Sequence, residues 1–253
     1  MGAGEDKVQN EVAGQTAWKA ALVEGLAALG LTLRSDQEER LARYLARLRA
    51  ENERLNLTAV VEPVEVALKH FVDSATVLRA VELPPGESLA DVGSGGGFPG
   101  VPLAILRPDL RVTLIEANRK KAAFLGRLQV ELGLEQVTVV NARAEEVGRQ
   151  AAHRERYGLA VARAVAPLAV VWEYLLPLVR VGGTAVALKG PGVAEELPPG
   201  GRAAKVLGGG GQIIHRFLLP RGAGERQVVA VQKVAASPAQ YPRRPGVPAK
   251  KPL

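Results

Sequence analysis

The sequence of 253 residues contains no cysteine and a single methionine. Without cysteine the chain forms no disulfide, no thiolate-ligated zinc site and no iron–sulfur cluster. It also lacks the thiolate nucleophile of many covalent mechanisms. No run of about 18 apolar residues occurs, so no transmembrane span is expected. The first residues lack the pattern of a signal peptide, and together these absences predict a soluble, cytoplasmic protein.

Aromatic residues are also scarce, at 4% of the chain, and there are three histidines. So few aromatic side chains exclude a base-stacking surface of the kind that single-strand-binding proteins use. His70, His153 and His215 lie far apart in the sequence. Because they lack the spacing of metal ligands, we expect no metal site.

Positive charge is abundant and unevenly distributed. The net charge is +7, with −4 on the first 90 residues and +11 on residues 91–253. A basic half of this kind is typical of proteins that bind polyanions, although a charge that serves only solubility would look the same. Of the 33 basic residues 23 are arginine, which fits a thermophile or GC-rich coding.

Sequence patterns divide the chain into four segments. Residues 1–14 are predicted to be a flexible leader, and residues 15–84 a helical unit in which apolar residues recur every three or four positions. Residues 85–237 alternate short apolar strands with helices, including one predicted at 168–179. Residues 238–253 are a basic tail with five prolines. The alternation of strands and helices predicts a parallel, doubly wound sheet, followed by two antiparallel strands.

A glycine-rich loop, DVGSGGGFPG, follows the first predicted strand at residues 91–100. Glycines in such a turn let the backbone approach a ligand closely. Gly95, Gly97 and Gly100 fit the pattern GxGxxG, which is typical of NAD(P)-dependent oxidoreductases but is weak evidence alone. The glycines that begin at Gly93 and the antiparallel strands at the end of the chain favour a different ligand.

The loop and the strand end LIEAN at 114–118 resemble the S-adenosylmethionine (SAM) site of class I methyltransferases. Five further segments resemble the RsmG (GidB) family of bacterial 16S rRNA methyltransferases, over roughly residues 20–253. They are NLTA at 56–59, KHFVDS at 69–74, ARA at 162–164, LKG at 188–190 and YPRR at 241–244.

This resemblance implies a class I α/β fold with an N-terminal helical unit. Its Rossmann-like sheet would be mostly parallel and seven-stranded, with an antiparallel last strand. The family implies SAM as cofactor, 16S rRNA or the small ribosomal subunit as partner, and N7 of guanosine 527 in the 530 loop as target. A methyltransferase acting on another RNA and an RNA-binding SAM sensor without turnover remain alternatives. Nothing indicates an obligate dimer, and we expect a monomer.

The sequence is consistent with methylation of a ring nitrogen. Amino-group methyltransferases commonly carry an Asn/Asp-Pro-Pro-aromatic motif after the fourth strand, where this chain has ARAV at 162–165. The missing cysteine excludes the covalent route to carbon methylation. Guanine N7 already offers a lone pair, so transfer needs alignment of the reactants rather than a general base.

Candidate site residues follow from the ends of the predicted strands and from the resemblance. Glu116 ends the second strand, where a carboxylate can accept hydrogen bonds from ribose hydroxyls. The predicted cofactor-binding residues are Gly93, Gly95, Phe98, Glu116, Ala117, Asn118, Ala144, Glu145 and Arg163. Phe98 is expected to border the methionine part of SAM.

Three residues are predicted to be catalytic: Arg163 and Lys189 at strand ends, and His70 in the helical unit. Arg163 would bind either the SAM carboxylate or a phosphate of the target nucleotide. His70 would either contact the target base or serve packing. Arg243 and Arg244 in the tail are predicted to contact RNA phosphates or bases.

Overall fold

A computed structural model describes the protein, with residues 2–253 given by their backbone and residue 14 and residues 16–253 by their side chains as well. Of the leader predicted over residues 1–14, only residue 14 is described with its side chain, and the flexibility of the leader stays a prediction. No helix in the described part of the chain combines the length with the hydropathy that a membrane span requires.

Eleven α-helices and seven strands are described, and their bounds are as follows. The helices are α1 (Gly2–Ala28), α2 (Ser35–Leu55), α3 (Pro63–Val66), α4 (Asp73–Ala75), α5 (Val77–Ala80), α6 (Gly100–Leu106), α7 (Arg119–Glu131), α8 (Ala144–Val147), α9 (Leu168–Leu175), α10 (Leu197–Val206) and α11 (Val247–Lys250). A π-helical segment (Ala67–Val72) joins α3 to α4, and a 3-10 turn (Val193–Glu196) precedes α10. The strands are β1 (Ser88–Val92), β2 (Arg111–Ile115), β3 (Val137–Val140), β4 (Tyr157–Arg163), β5 (Val179–Lys189), β6 (Gly209–Leu219) and β7 (Gly224–Lys233).

The seven strands form one sheet in the order β3-β2-β1-β4-β5-β7-β6. Neighbours among β1 to β5 are parallel, whereas β7 is antiparallel to both β5 and β6. Val92 at the end of β1 is in register with Ile115 and Ala162, so these strands end together. This confirms the predicted mostly parallel seven-stranded sheet with an antiparallel last strand, and it creates the edge where ligands bind in such sheets.

The helical unit covers one face of the sheet and shares its core. Leu41 and Leu48 lie on the buried stripe of α2, as the periodicity predicts. They belong to one hydrophobic cluster with Leu89 of β1. The side chain of Gln37 donates to the carbonyl of Ile105 at 3.2 Å, which ties α2 to α6.

The opposite face of the sheet is covered by α8 to α10 and by the C-terminal segment, residues 238–253. Trp172 of α9 is fully buried in this second cluster, and Tyr241 packs against the same cluster. The guanidinium of Arg154 donates to the carbonyl of Ser237 at 2.8 Å and to that of Tyr241 at 2.7 Å. The C-terminal segment is therefore fastened to the sheet domain by its backbone.

One predicted helix is too long, and one helix of the structure was not predicted. The helix predicted at 168–179 ends at Leu175, and β5 already begins at Val179. The reason is Pro177, which has no N–H to donate to the preceding turn. Helix α10 escaped prediction because its first turn contains two prolines and two glycines; proline is tolerated at that position since the first N–H groups have no partner within the helix.

Candidate active site

Backbone N–H groups fix the glycine loop between β1 and α6. That of Gly93 donates to the carbonyl of Ile115 at 2.8 Å, and that of Gly100 donates to the Asp91 carboxylate at 2.9 Å. A Cβ on Gly100 would lie 2.7 Å from Oδ2 of Asp91, so this close approach requires glycine. Asp91 is fully buried, and burial raises its pKa to about 7.

Glu116 follows β2 and joins the loop to the second strand. Its carboxylate accepts hydrogen bonds from the N–H groups of Gly95 at 2.8 Å and Asn118 at 2.7 Å. Each oxygen keeps capacity for a further bond, because a carboxylate oxygen has two lone pairs. The Asn118 side chain caps α7 by accepting from the N–H groups of Lys120 and Lys121.

A first cavity of about 190 Å³ opens beside Glu116. Five predicted cofactor residues line it: Gly93, Glu116, Ala117, Ala144 and Glu145. Apolar and aromatic side chains of Val92, Ile115, Ala142, Val165 and Tyr174 complete most of its wall. Three further predicted residues, Gly95, Phe98 and Asn118, lie outside this lining, and Arg163 lines a different cavity.

The C-terminal segment is anchored beside the first cavity. The buried carboxylate of Glu145 accepts from the N–H of Gly246 at 2.9 Å. The fully buried Glu173 accepts from Arg243, with 2.9 Å between Oε1 and Nε and 2.6 Å between Oε2 and the terminal nitrogen. Arg243 therefore has a structural partner, while Arg244 is exposed; RNA contact by either stays a prediction.

Phe98 lies in an aromatic cluster between the glycine loop and a second cavity. Its ring centroid is 5.3 Å from that of Tyr44 and 4.4 Å from that of His70. The guanidinium carbon of Arg163 stands 4.8 Å from the Phe98 centroid, a cation–π contact. The ring thus connects the loop to the helical unit.

This second cavity has a volume of about 440 Å³, and all three residues predicted to be catalytic, His70, Arg163 and Lys189, line it. The chain that follows β4 borders both cavities, because Ala164 lines the second and Val165 the first. Ala164 has a φ of 55°, a left-handed conformation that is uncommon outside glycine and that concentrates at functional sites.

Arg163 is held in place by the helical unit. Its guanidinium donates to Oδ2 of Asp73 at 3.0 Å and to the carbonyl of Lys69 at 3.1 Å, and it lies 3.1 Å from Nδ1 of His70. Asp73 is buried, and Nε of Arg226 approaches its other oxygen to 3.3 Å. Burial raises the pKa of Asp73, an effect that the two arginines oppose.

His70 is neutral in this environment. Burial, followed by the positive charge of Arg163, lowers its pKa to about 3. Its Nε2 is 2.7 Å from the Thr58 hydroxyl. Lys189, by contrast, carries a charge that Glu196 balances at 2.7 Å, and it also donates to the carbonyl of Ala166 at 2.7 Å.

Arg226 is a residue of this cavity that sequence reasoning missed. The feature that could have indicated Arg226 is the antiparallel pairing of β7 with β5, in which Gln227, the next residue, lies opposite Lys189. Because antiparallel strands begin where their partners end, the start of β7 returns to the edge where β5 ends.

A family model described as rRNA small subunit methyltransferase G matches residues 37–223. The chain belongs to this family. A protein of Pelotomaculum thermopropionicum called Ribosomal RNA small subunit methyltransferase G is 47% identical over 230 residues, which cover 91% of this chain and 96% of that one. A Deinococcus radiodurans protein of the same name is 48% identical over 237 residues, covering 94% and 93%.

Family membership confirms the resemblance inferred from the scattered motifs and decides against an oxidoreductase. Among solved structures, MtNAS in complex with MTA and tNA matches with a TM-score of 0.52 at 14% identity, covering 79% of this chain and 74% of that one. PH0851 matches with a TM-score of 0.51 at 14% identity, covering 64% and 46%. These likenesses concern the fold, which is that of class I SAM-dependent methyltransferases.

Proposed function

We propose that this protein transfers a methyl group from SAM to N7 of a guanosine in 16S rRNA, directly and without a covalent intermediate. The observation that carries the proposal is the pair of cavities bordered by Ala164 and Val165. The first has the features of a cofactor site, and the second is lined by cations. Relatives named as methyltransferases of small subunit rRNA support the reaction class.

Residues around the first cavity fit SAM. Glu116 offers its free lone pairs to ribose hydroxyls, and the small side chains of Ala142 and Ala144 leave room for adenine. Gly93 exposes its backbone to the methionine part. When bound, SAM supplies an electrophilic methyl group. Glu145 holds the adjoining wall, since its carboxylate already binds Gly246.

The described lining of the second cavity offers no free general base, which suits transfer to N7. His70 stays neutral with a pKa of about 3, and both its ring nitrogens have neighbours. Asp73 is held between two arginines. An exocyclic amino group would have to lose a proton during methylation, whereas N7 has a lone pair and needs alignment only.

The cations of the second cavity suit a nucleotide. Lys69, Arg163, Lys189 and Arg226 all line it, and arginine and lysine are the usual partners of phosphate. Because Arg163 lines this cavity rather than the first, we assign it to the target nucleotide instead of the SAM carboxylate. We propose that the protein acts as a monomer in the cytoplasm on 16S rRNA or the small ribosomal subunit.

Mass spectrometry of rRNA tests the proposed reaction. Small subunits from a strain that lacks this activity are incubated with the purified protein and SAM, and the 16S rRNA is then digested and mapped. We expect one new 7-methylguanosine. Methylation of another atom or another RNA would contradict the proposal, and SAM binding without any transfer would favour the sensor alternative.

The carboxylate at the end of β2 provides a separate test of the cofactor site. Glu116→Gln replaces one acceptor oxygen by a donor that faces an N–H group, either of Gly95 or of Asn118. Since hydrogen bonds to charged groups contribute roughly 1.5–3 kcal/mol, we expect the SAM dissociation constant to rise at least about tenfold in calorimetry. The exposed Glu135→Gln is the control; equal affinities for the two variants would remove Glu116 from the site.

A further inference from the structure

Tyr44 links the helical unit to the glycine loop by a hydrogen bond. It lies on the buried face of α2 and is fully inaccessible to solvent. Its hydroxyl donates to the carbonyl of Gly96 at 2.5 Å. Burial raises the pKa of Tyr44 well above its usual value, so the hydroxyl keeps its proton and remains a donor.

The part of the loop that Tyr44 contacts lies between the loop's other anchors. Gly95 is bound on one side by Glu116, and Gly100 on the other by Asp91. At Gly97, φ is +105° and a Cβ would come within 2.6 Å of the Tyr44 hydroxyl. Tyr44 therefore requires glycine at position 97, because any side chain there would displace the Tyr44 hydroxyl.

Rings on both sides fix the position of the Tyr44 hydroxyl. The Tyr44 ring stacks on Phe98, with 5.3 Å between centroids and 21° between planes, and lies 5.3 Å from Phe71. Ring packing of this kind is favourable beyond the area it buries. The donor is thus already in position before any ligand arrives, so the hydrogen bond costs little further ordering.

We propose that Tyr44 is a positioning residue of the cofactor site: its hydroxyl holds the Gly96 carbonyl and thereby presets the loop for SAM. The helical unit is then a part of the cofactor site as well as a wall of the second cavity. This inference rests on the proposed function in one respect, namely that SAM is the ligand of the loop.

Tyr44→Phe removes one oxygen and keeps the ring. The matched control is Tyr157→Phe, because Tyr157 is also buried and its hydroxyl bonds Nδ1 of His153 at 2.6 Å, away from both cavities. Calorimetry gives the SAM dissociation constant of each variant. We expect Tyr44→Phe to weaken SAM binding about 3- to 10-fold, the range of one ordinary hydrogen bond, and Tyr157→Phe to leave it unchanged.

Two further measurements separate positioning from stability. In the absence of SAM, amide hydrogen exchange at Gly97 and Phe98, whose N–H groups both bond the Ser94 carbonyl, is expected to speed up in Tyr44→Phe only. Steady-state kinetics are expected to show a raised KM for SAM with kcat nearly unchanged. A purely structural role would lower the melting temperature of both variants without this difference.

Unchanged exchange and unchanged SAM affinity in Tyr44→Phe would overturn the inference while leaving the proposed function intact. If the unaltered protein bound no SAM, the proposed function would fail instead. The exchange measurement would still show whether Tyr44 orders the loop, because it needs no cofactor.

Discussion

His70 illustrates how burial decides what an ionisable side chain does. From the sequence alone, its imidazole was open to either contact with the base or packing. In the folded protein its ring packs at a tilt against Phe98 and lies beside the Arg163 guanidinium, and its pKa falls to about 3. A neutral imidazole beside a cation is a poor proton acceptor, which leaves shape and hydrogen bonding as its contribution.

Asp91 gives a prediction about pH at the residue scale. Its pKa is about 7 in the folded protein and 3.8 for the free side chain, so the unfolded chain loses this proton first as pH rises. Stability from this group is therefore lost between about pH 4 and 7. Relative to Asp91→Asn, the unfolding free energy of the unaltered protein is expected to fall by about 2 to 3 kcal/mol from pH 5 to 8.

Urea unfolding at the two pH values measures this difference, with Asp109→Asn as the control. Arg107 holds the pKa of Asp109 at about 2, so Asp109 is ionised above pH 5 in both the folded and the unfolded protein. The difference in unfolding free energy between the unaltered protein and Asp109→Asn should therefore be the same at both pH values. If the difference in unfolding free energy between the unaltered protein and Asp91→Asn were also independent of pH, the pKa of Asp91 would not be raised in the folded protein.

Residues whose partners are near in sequence or at aligned strand ends could be predicted, and others could not. Glu116 was placed correctly beside the loop because parallel strands end at one edge. The expectation that Phe98 borders SAM stays a prediction, whereas its contact with Tyr44, 54 positions earlier in the chain, was not predicted. Nothing local to Phe98 encodes that contact.

At the scale of elements, strands were predicted more reliably than helices. β1 and β2 are short and mainly apolar, whereas β5 and β6 have eleven residues each and include polar side chains. Helix α10 was missed because its first turn, Leu-Pro-Pro-Gly-Gly, is typical of a loop. Its buried Ala203 and Ala204 pack against the sheet, and this tertiary contact outweighs the local preference.

The C-terminal segment gives a prediction at this scale. Arg243→Ala would leave the buried Glu173 carboxylate without its charged partner, which costs roughly 3 kcal/mol or more in comparable buried pairs. We expect a correspondingly lower unfolding free energy in urea. Arg244→Ala, at an exposed neighbour, should change it by less than about 0.5 kcal/mol. Equal effects of the two substitutions would mean that Glu173 does not anchor the segment.

The different surroundings of Arg243 and Arg244 decide which substitution tests RNA contact by the C-terminal segment. A double substitution of both arginines would combine loss of a structural ion pair with loss of surface charge. Arg244→Ala alone removes an exposed charge, so weaker binding of 16S rRNA at an unchanged SAM affinity would support the predicted RNA contact. Filter binding at two salt concentrations measures it, because phosphate contacts weaken with salt.

At the scale of the whole molecule, the helical unit and one face of the sheet share a single hydrophobic cluster. The segment boundaries at residues 14, 84 and 237 were predicted from changes of composition along the chain, and they stay predictions. Two elements that bury the same core stabilise each other, so neither is expected to unfold alone. This explains why a change of composition along the chain does not by itself reveal an independently folding unit.

The two tryptophans test this expectation. Trp18 is buried in the cluster that includes the helical unit, and Trp172 in the cluster on the other face. In Trp18→Phe and Trp172→Phe, the remaining tryptophan reports on one half. Within each variant, we expect the fluorescence and circular dichroism midpoints in urea to coincide. A fluorescence midpoint below that of circular dichroism in Trp172→Phe would mean that the helical unit unfolds first.

The π-helical segment Ala67–Val72 contains His70 and directly precedes Asp73. Its wider turn accommodates one residue more than an α-helix over the same length, a device often found at functional sites. Deleting one residue there would turn the following side chains by about 100° and withdraw Asp73 from Arg163. Relatives that share this site are therefore expected to keep the length of this segment.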